Sequence, residues 1–386
     1  MSAASNAPQP LAGITVVELG HSVAAPFAGE ILGDLGATIV KVEKRDGDDA
    51  RKWAPPYWQG HSALFQALNR NKLSVMVDLR NEEERARLEH FILERADVLI
   101  QNMRPGTVAE YGLDAETLRR KKPRLIYCTI GAFGAKGPLK DKPGYDPLMQ
   151  AFGGFMSITG EPGGVPVRAG TSIMDMGCGM WCAIGVLGAL QRRNATGEGS
   201  HIETSLYETS LAWMTYHIAN YLASGELPTP QGSGATMIAP YRGYRTRNGM
   251  AMIAAGNDKL FGLMSAALGH PEWAEDARFR TNPERVAHRD VLNPLIAAVV
   301  KTRSCAQWVA ALEEARVPCA PLQTLDQVMA HPQTEALGIV QATPDGAMRL
   351  LGLPVSFDGE RPKLERGPVV LGADTDLVLK AAETVK

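Results

Sequence analysis

The hydrophobic and polar positions change period along the chain, and each change marks an element. After Gly13 the run Ile14–Leu19 is rich in β-branched residues and reads as a strand. Gly20-His21-Ser22-Val23-Ala24-Ala25 is a loop of small side chains, Pro26 opens a helix that Gly36 ends, and Thr38–Val42 is a second strand. A strand, helix, strand unit of this kind calls for a right-handed crossover and a parallel sheet. Further on, Asn69–Arg80 reads as a basic turn running into a strand, 82–95 as an amphipathic helix, and Ala96–Gln101 and 124–130 as more strands.

A long uncharged run follows Asp175: residues 176–190 carry no charge and include glycines at 177, 179, 185 and 188. The run is shorter than the about 20 apolar residues that a bilayer span needs. It reads as a buried helix whose small residues let another backbone come close. Asp175 then stands just before the first helical turn, where free N–H groups and the helix dipole favour an anion. Both a helix cap and a covalent carboxylate nucleophile fit that place. The glycines on either side of Cys178 add room beside the carboxylate for a ligand.

Composition narrows the class. At 386 residues the chain exceeds what one core usually serves, so two domains are expected. The Pro- and Gly-rich stretch Ser224–Gly234 reads as a linker between them, and 298–316 as a helical run in the second. A formal charge of -2 and a pI near 6.5 give no sign of a nucleic-acid surface or a polybasic membrane anchor. Five cysteines without a paired CxxC motif point to reduced thiols in a cytoplasm and to no metal site. Cys178 and Cys182 share a helix face, as core cysteines do. Met1–Pro10 has no signal-peptide pattern and reads as a disordered tail.

Glu43 at the end of the second strand invites a dinucleotide reading, but the loop after the first strand lacks G-x-G-x-x-G. The glycine loop 131–138 likewise lacks the Gly-Lys-Ser/Thr ending of a nucleotide-hydrolysing site. Lys41, Lys44, Arg45, Arg51, Arg70, Lys72, Arg80 and Arg104 fall near strand ends or in adjoining turns. As a set they suit a polyanionic small molecule at the carboxyl edge of a parallel sheet.

An ordered series of motifs then carries a resemblance. It includes Leu-Gly-Asp-Leu-Gly-Ala-x-Ile-Val-Lys-Val-Glu, Asn-Arg-Asn-Lys-x-Ser, Ala-Asp-Val-Leu-Ile-x-Asn-x-Arg-Pro-Gly, Gly-Tyr-Asp, Asp-Met-Gly-x-Gly and Leu-Gly-Ala-Asp-Thr-Asp. Together they span nearly the whole chain, which resembles the class III CoA-transferases, the CaiB/BaiF family. The resemblance implies an α/β fold: a large domain with a Rossmann-like parallel sheet, a small α+β domain, and open-ring subunits interlocked as a homodimer. The large domain would comprise 10–224, completed by 326–386, and the small one 225–325.

The same resemblance assigns roles. Asp175 takes the place of the nucleophilic aspartate, which passes CoA from an acyl-CoA to a free carboxylic acid through aspartyl anhydride and aspartyl-CoA thioester intermediates. Coenzyme A is substrate, and no resident cofactor or metal is implied. His21, Ser22, Val23 and Ala24 match a loop beside the thioester. Lys44, Lys72 and Arg104 are candidates for the CoA phosphates, and Val77, Asp78, Leu79 and Arg80 match the border of the adenine. Asn102 and Met103 match a further wall, and Lys142 and Tyr145 the loop facing Asp175. Glu110 stands where many members have an arginine, so one phosphate contact moves elsewhere.

Two alternatives stay open. Racemases of the family pair the aspartate with a histidine thirty residues earlier, which here is Tyr145. A phenol, ordinarily ionising at about pH 10, is a poor proton shuttle at neutral pH. A CoA-binding subunit without turnover is the non-enzymatic alternative. For the acid acceptor, Arg242, Arg245 and Arg247 are candidate partners of a second carboxylate, which would select dicarboxylic acids.

Overall fold

The computed structural model describes residues 9–383. All but Gln9 and Pro10 of the N-terminal stretch read as a tail lie outside them, as do the last three residues of the expected large domain. Among the described residues the chain divides into two compact units: 9–155, 168–215 and 332–383 form the first, and 156–167 with 216–331 the second. The boundary falls after Thr215, the first residue of helix Thr215–Ser224, nine residues ahead of the expected start at 225, so the rest of that helix belongs with the second unit.

In the first unit the apolar runs pair as a six-stranded sheet. Its strands are β1 (Thr15–Leu19), β2 (Thr38–Glu43), β3 (Lys72–Met76), β4 (Val98–Gln101), β5 (Ile126–Gly131) and β6 (His201–Ser205). They lie in the order β3-β2-β1-β4-β5-β6, and every pair is parallel. Val17 pairs with Val40 on one side and with Leu99 on the other. Alternation sends successive side chains to opposite faces, each of which buries a core. Val16, Ile39 and Ile100 pack with α1 (Ala24–Asp34) and the long helix α4 (Ile173–Thr196). Val17, Val40 and Leu99 pack with Leu88 and Ile92 of α2 (Glu82–Arg95). Helix α3 (Asp146–Phe152) precedes α4 and α5 (Leu206–Trp213) follows β6.

The chain returns at its end to the edge of this sheet. Asp374 accepts from the N–H of Ser74 at 2.9 Å and Thr375 Oγ1 from that of Met76 at 3.0 Å, so the motif near the C-terminus covers β3.

α4 is longer than the uncharged run: at 24 residues it is long and apolar enough to cross a membrane by length and composition alone. The length argument therefore fails, and packing decides, because Cys178, Cys182, Ala183 and Val186 are buried in the core against α1 and the sheet. Glycines 177 and 179 are also explained by packing and not by room for a ligand. A side chain at 177 would meet Trp213 at 2.7 Å, and one at 179 would meet the Ala24 carbonyl oxygen at 2.7 Å.

The second unit holds an antiparallel three-stranded sheet, β7 (Tyr241–Arg245), β8 (Met250–Ala254) and β9 (Cys319–Pro321), with β8 in the middle. The expected helical run 298–316 is two helices, Arg289–Val300 and Cys305–Glu314. The second opens on a capping box in which Ser304 and Gln307 bind each other's backbone, which ends the first.

Candidate active site

In an open parallel sheet, ligands bind at the carboxyl ends of strands where the strand order reverses. Here the chain runs outward from β1 through β2 to β3 and then returns to place β4 on the other side of β1. His21, just after β1, and Asn102, just after β4, join across that point. The His21 N–H donates to Asn102 Oδ1 at 3.0 Å, and Asn102 Nδ2 donates to the His21 carbonyl at 2.9 Å. Above them opens a cavity of about 630 Å³, lined by the ends of β1, β2, β4 and β5 and by Asp175.

Asp175 stands in the first turn of α4 and not before it, since the helix starts at Ile173. The reason is a second carboxylate. Asp146, buried at the start of α3, accepts from the N–H groups of Met174 at 2.7 Å and of Asp175 at 3.3 Å, so it performs the capping that Asp175 was expected to do. Ile173 and Met176 N–H groups bind Thr171 and Ser172 carbonyls, so these first-turn donors of α4 are occupied. Released from capping, Asp175 is half-buried in the cavity wall. Burial, and then the charge of Asp146, push its carboxyl from 3.8 up to about 7. Gly179, one turn further along α4, touches the start of α1, so Asp175 lies on the helix side that faces that start. No side chain caps α1, and its first residue, Ala24, lines the cavity.

A family model described as CoA-transferase family III matches residues 11–375. The chain belongs to the family III CoA-transferases. It is 35% identical to the succinate–glutarate CoA-transferase of Agrobacterium fabrum, covering 99% of this chain and 98% of that protein. It is 32% identical to the succinyl-CoA:glutarate CoA-transferase of Mus musculus, over 96% of this chain and 86% of the other. Among solved structures, a CaiB/BaiF family protein from Brucella suis superposes with a TM-score of 0.87 at 38% identity, covering 97% of this chain and all of that one.

For this CoA-transferase the cavity gathers ten of the sixteen residues that the resemblance assigns to the site: Asp175, His21, Ser22, Ala24 and Lys44, together with Asn102, Met103, Arg104, Lys142 and Tyr145. Burial lowers the His21 imidazole below its usual range, which leaves the ring neutral at neutral pH. Val23 is buried beneath the loop. Val77, Asp78, Leu79 and Arg80 lie outside the cavity lining. They form the turn into α2, where Arg80 pairs with Asp78 and the Asp78 N–H binds Glu84.

Lys72 is a clear correction. Its ammonium is fully buried, ion-paired with Glu18 at 2.9 Å and hydrogen-bonded to the Pro26 carbonyl at 2.8 Å and Asn69 at 3.0 Å, so it presents no charge to the cavity. The same reason applies to Lys41, held by Glu18 and Asp48, to Arg51, held by Glu43, and to Arg70, held by Glu30 and Asp34, whereas Arg45 is exposed and pairs with Glu84. Lys44 is exposed and pairs with Asp49. Arg104, Lys140 and Lys142 line the cavity with no ion-pair partner among the described residues.

Lys140 and Asp146 were not singled out by residue type. For Asp146 a signal existed: an Asp followed at once by proline marks the first turn of a helix.

Proposed function

We propose that the protein transfers CoA from an acyl-CoA to a dicarboxylic acid, with Asp175 as the covalent nucleophile. The observation that carries this reading is a raised carboxyl in the wall of a cavity at the switch point of the sheet. The proposed sequence has four exchanges. An Asp175 carboxylate oxygen attacks the thioester carbonyl and expels CoA thiolate, leaving a mixed anhydride. The thiolate attacks the Asp175 carbonyl of that anhydride and releases the donor acid. The acceptor carboxylate attacks the aspartyl-CoA thioester and again frees the thiolate, which finally attacks the acceptor's acyl carbon and restores Asp175.

A carboxylate is a weak nucleophile, so holding it against the thioester supplies much of the rate. Partial desolvation by burial, with repulsion from the charge of Asp146, makes it a better one once ionised. Its oxyanions need N–H donors. The N–H groups of His21 and Ser22 are taken by Asn102 and Asp48. We therefore assign the oxyanion to the uncapped start of α1 beside Ala24. Arg104, Lys140, Lys142 and Lys44 supply the charge for the CoA phosphates in place of Lys72.

The dicarboxylate acceptor rests on relatives whose names give succinate and glutarate, oxalate, or mesaconate as acids. An interlocked homodimer is supported by an exposed apolar stripe on α4, where Met180, Trp181, Ile184 and Leu187 face outward. A reducing, cytoplasmic setting fits five free cysteines, two of which, Cys128 and Cys182, lie 3.0 Å apart unbonded.

The test is incubation with succinyl-CoA and a panel of mono- and dicarboxylic acids, with thioesters read by mass spectrometry. A new dicarboxylyl-CoA with release of succinate is expected. Release of free CoA without any new thioester would overturn the reading.

A further inference from the structure

The loop Gly20–Ser22 is held by backbone contacts from three side chains, each reaching it from a different place. Lys41 Nζ, from β2, donates to the Gly20 carbonyl at 3.0 Å; Asn102 binds both backbone groups of His21; and Asp48 Oδ1 accepts from the Ser22 N–H at 3.0 Å. Ser22 has φ +68°, a left-handed conformation that L residues rarely keep without support. Asp48 and Lys41 are both buried, and the second Asp48 oxygen accepts from Lys41 at 2.9 Å, while Lys41 also reaches Glu18 at 2.8 Å. Such a buried ion pair adds little net stability in general, and Asp48 itself lines the cavity beside His21, Ser22 and Ala24.

We infer that Asp48 is a positioning residue for CoA transfer: neutralised by Lys41, it holds Ser22 in its left-handed conformation and so sets the shape of the wall that receives acyl-CoA. The inference rests on the CoA-transferase reading of the cavity. Asp48 acts on no reacting atom. Its loss lets Ser22 relax toward negative φ, which moves His21 and the start of α1 together. The cost falls on acyl-CoA affinity and not on the acid acceptor.

Two charge-balanced double variants separate the hydrogen bond from the ion pair. Lys41→Met with Asp48→Asn keeps an oxygen for the Ser22 N–H; Lys41→Met with Asp48→Leu does not. The first should keep KM for acyl-CoA near that of the wild-type protein, and the second should raise it about tenfold over the first, as for one lost hydrogen bond. In both, kcat and KM for the acid should change far less. Adding Ser22→Gly to the leucine variant should restore part of the affinity, because glycine holds positive φ unaided.

Thermal unfolding of each variant separates loss of fold from loss of loop geometry, and Asp48→Ala replaces Asp48→Leu if the larger side chain prevents folding. Equal KM values in the two doubles, or a loss confined to kcat with no recovery by glycine, would overturn the inference while leaving the transferase reading intact. Absence of transfer in the wild-type protein would remove that reading and this inference with it.

Discussion

Asp175→Asn replaces a carboxyl that the fold holds at about 7, against 3.8 unperturbed, with a neutral side chain of the same shape. Because the folded carboxyl keeps its proton to higher pH than the unfolded one, the folded state binds more protons between those two values, and stability falls as pH rises through that window. Below 3.8 the carboxyl costs nothing in either state; above about 7 the full cost is present. At about 1.4 kcal/mol per decade the cost reaches about 4 kcal/mol at pH 8 and about 1.5 kcal/mol at pH 5, upper limits because Asp175 keeps some solvent contact.

The asparagine variant should therefore gain stability relative to wild type as pH rises, by up to about 2.5 kcal/mol between pH 5 and 8. Urea unfolding of both proteins at a fixed protomer concentration measures this. Stability curves that run parallel across that range would show a solvated carboxyl and refute the account of its environment. The same titration should appear in the rate: kcat/KM for acyl-CoA should rise with pH and level off above about 7, because only the anion attacks.

Asp146→Asn removes the second cause of the shift, so the kinetic midpoint should move to lower pH; an unchanged midpoint would leave burial as the whole cause. Glu30 is buried beside Arg70, and burial, only partly opposed by that arginine, pushes it from 4.5 to about 8. Its cost grows as pH rises through that window, so Glu30→Gln should stabilise the protein at pH 9 more than at pH 5, as read by thermal unfolding. Arg245 and Arg247 are exposed on alternate positions of one strand and its end, while Arg242 is half-buried. If one of them holds the far carboxylate, its alanine variant should raise KM for glutarate by about tenfold or more and spare a monocarboxylate of equal length. With Tyr145 in the place of a racemase histidine, a 2-methylacyl-CoA in heavy water should take up no deuterium at its α-carbon during many transfer turnovers.

Much of the sheet was legible, because parallel strands buried on both faces are written as apolar runs such as Ile39–Val40 and Val98–Ile100, and the helices between them carry their own stops. Asp175 was legible as a carboxylate near a helix start, but its freedom from capping was not, because the true cap, Asp146, is supplied from another helix. The basic residues misled for a related reason. Residue type gives a charge without its partner, and Lys41 and Lys72 meet Glu18 only when β1, β2 and β3 lie side by side. The glycines at 177 and 179 spoke truly of close approach, yet what approaches is Trp213 and the backbone of α1 and not a ligand. The break between Val300 and Cys305 was present as the Ser304, Gln307 capping pair inside an otherwise continuous helical pattern.

The central claim is that Asp175 becomes covalently acylated and then thioesterified during turnover. Hydroxylamine added while the protein turns over succinyl-CoA and glutarate should convert that activated carboxyl to a hydroxamate, and peptide mass spectrometry should find the modification on Asp175 only when acyl-CoA is present. Continued transfer with Asp175 unmodified, and the trapped carboxyl found elsewhere or not at all, would contradict it.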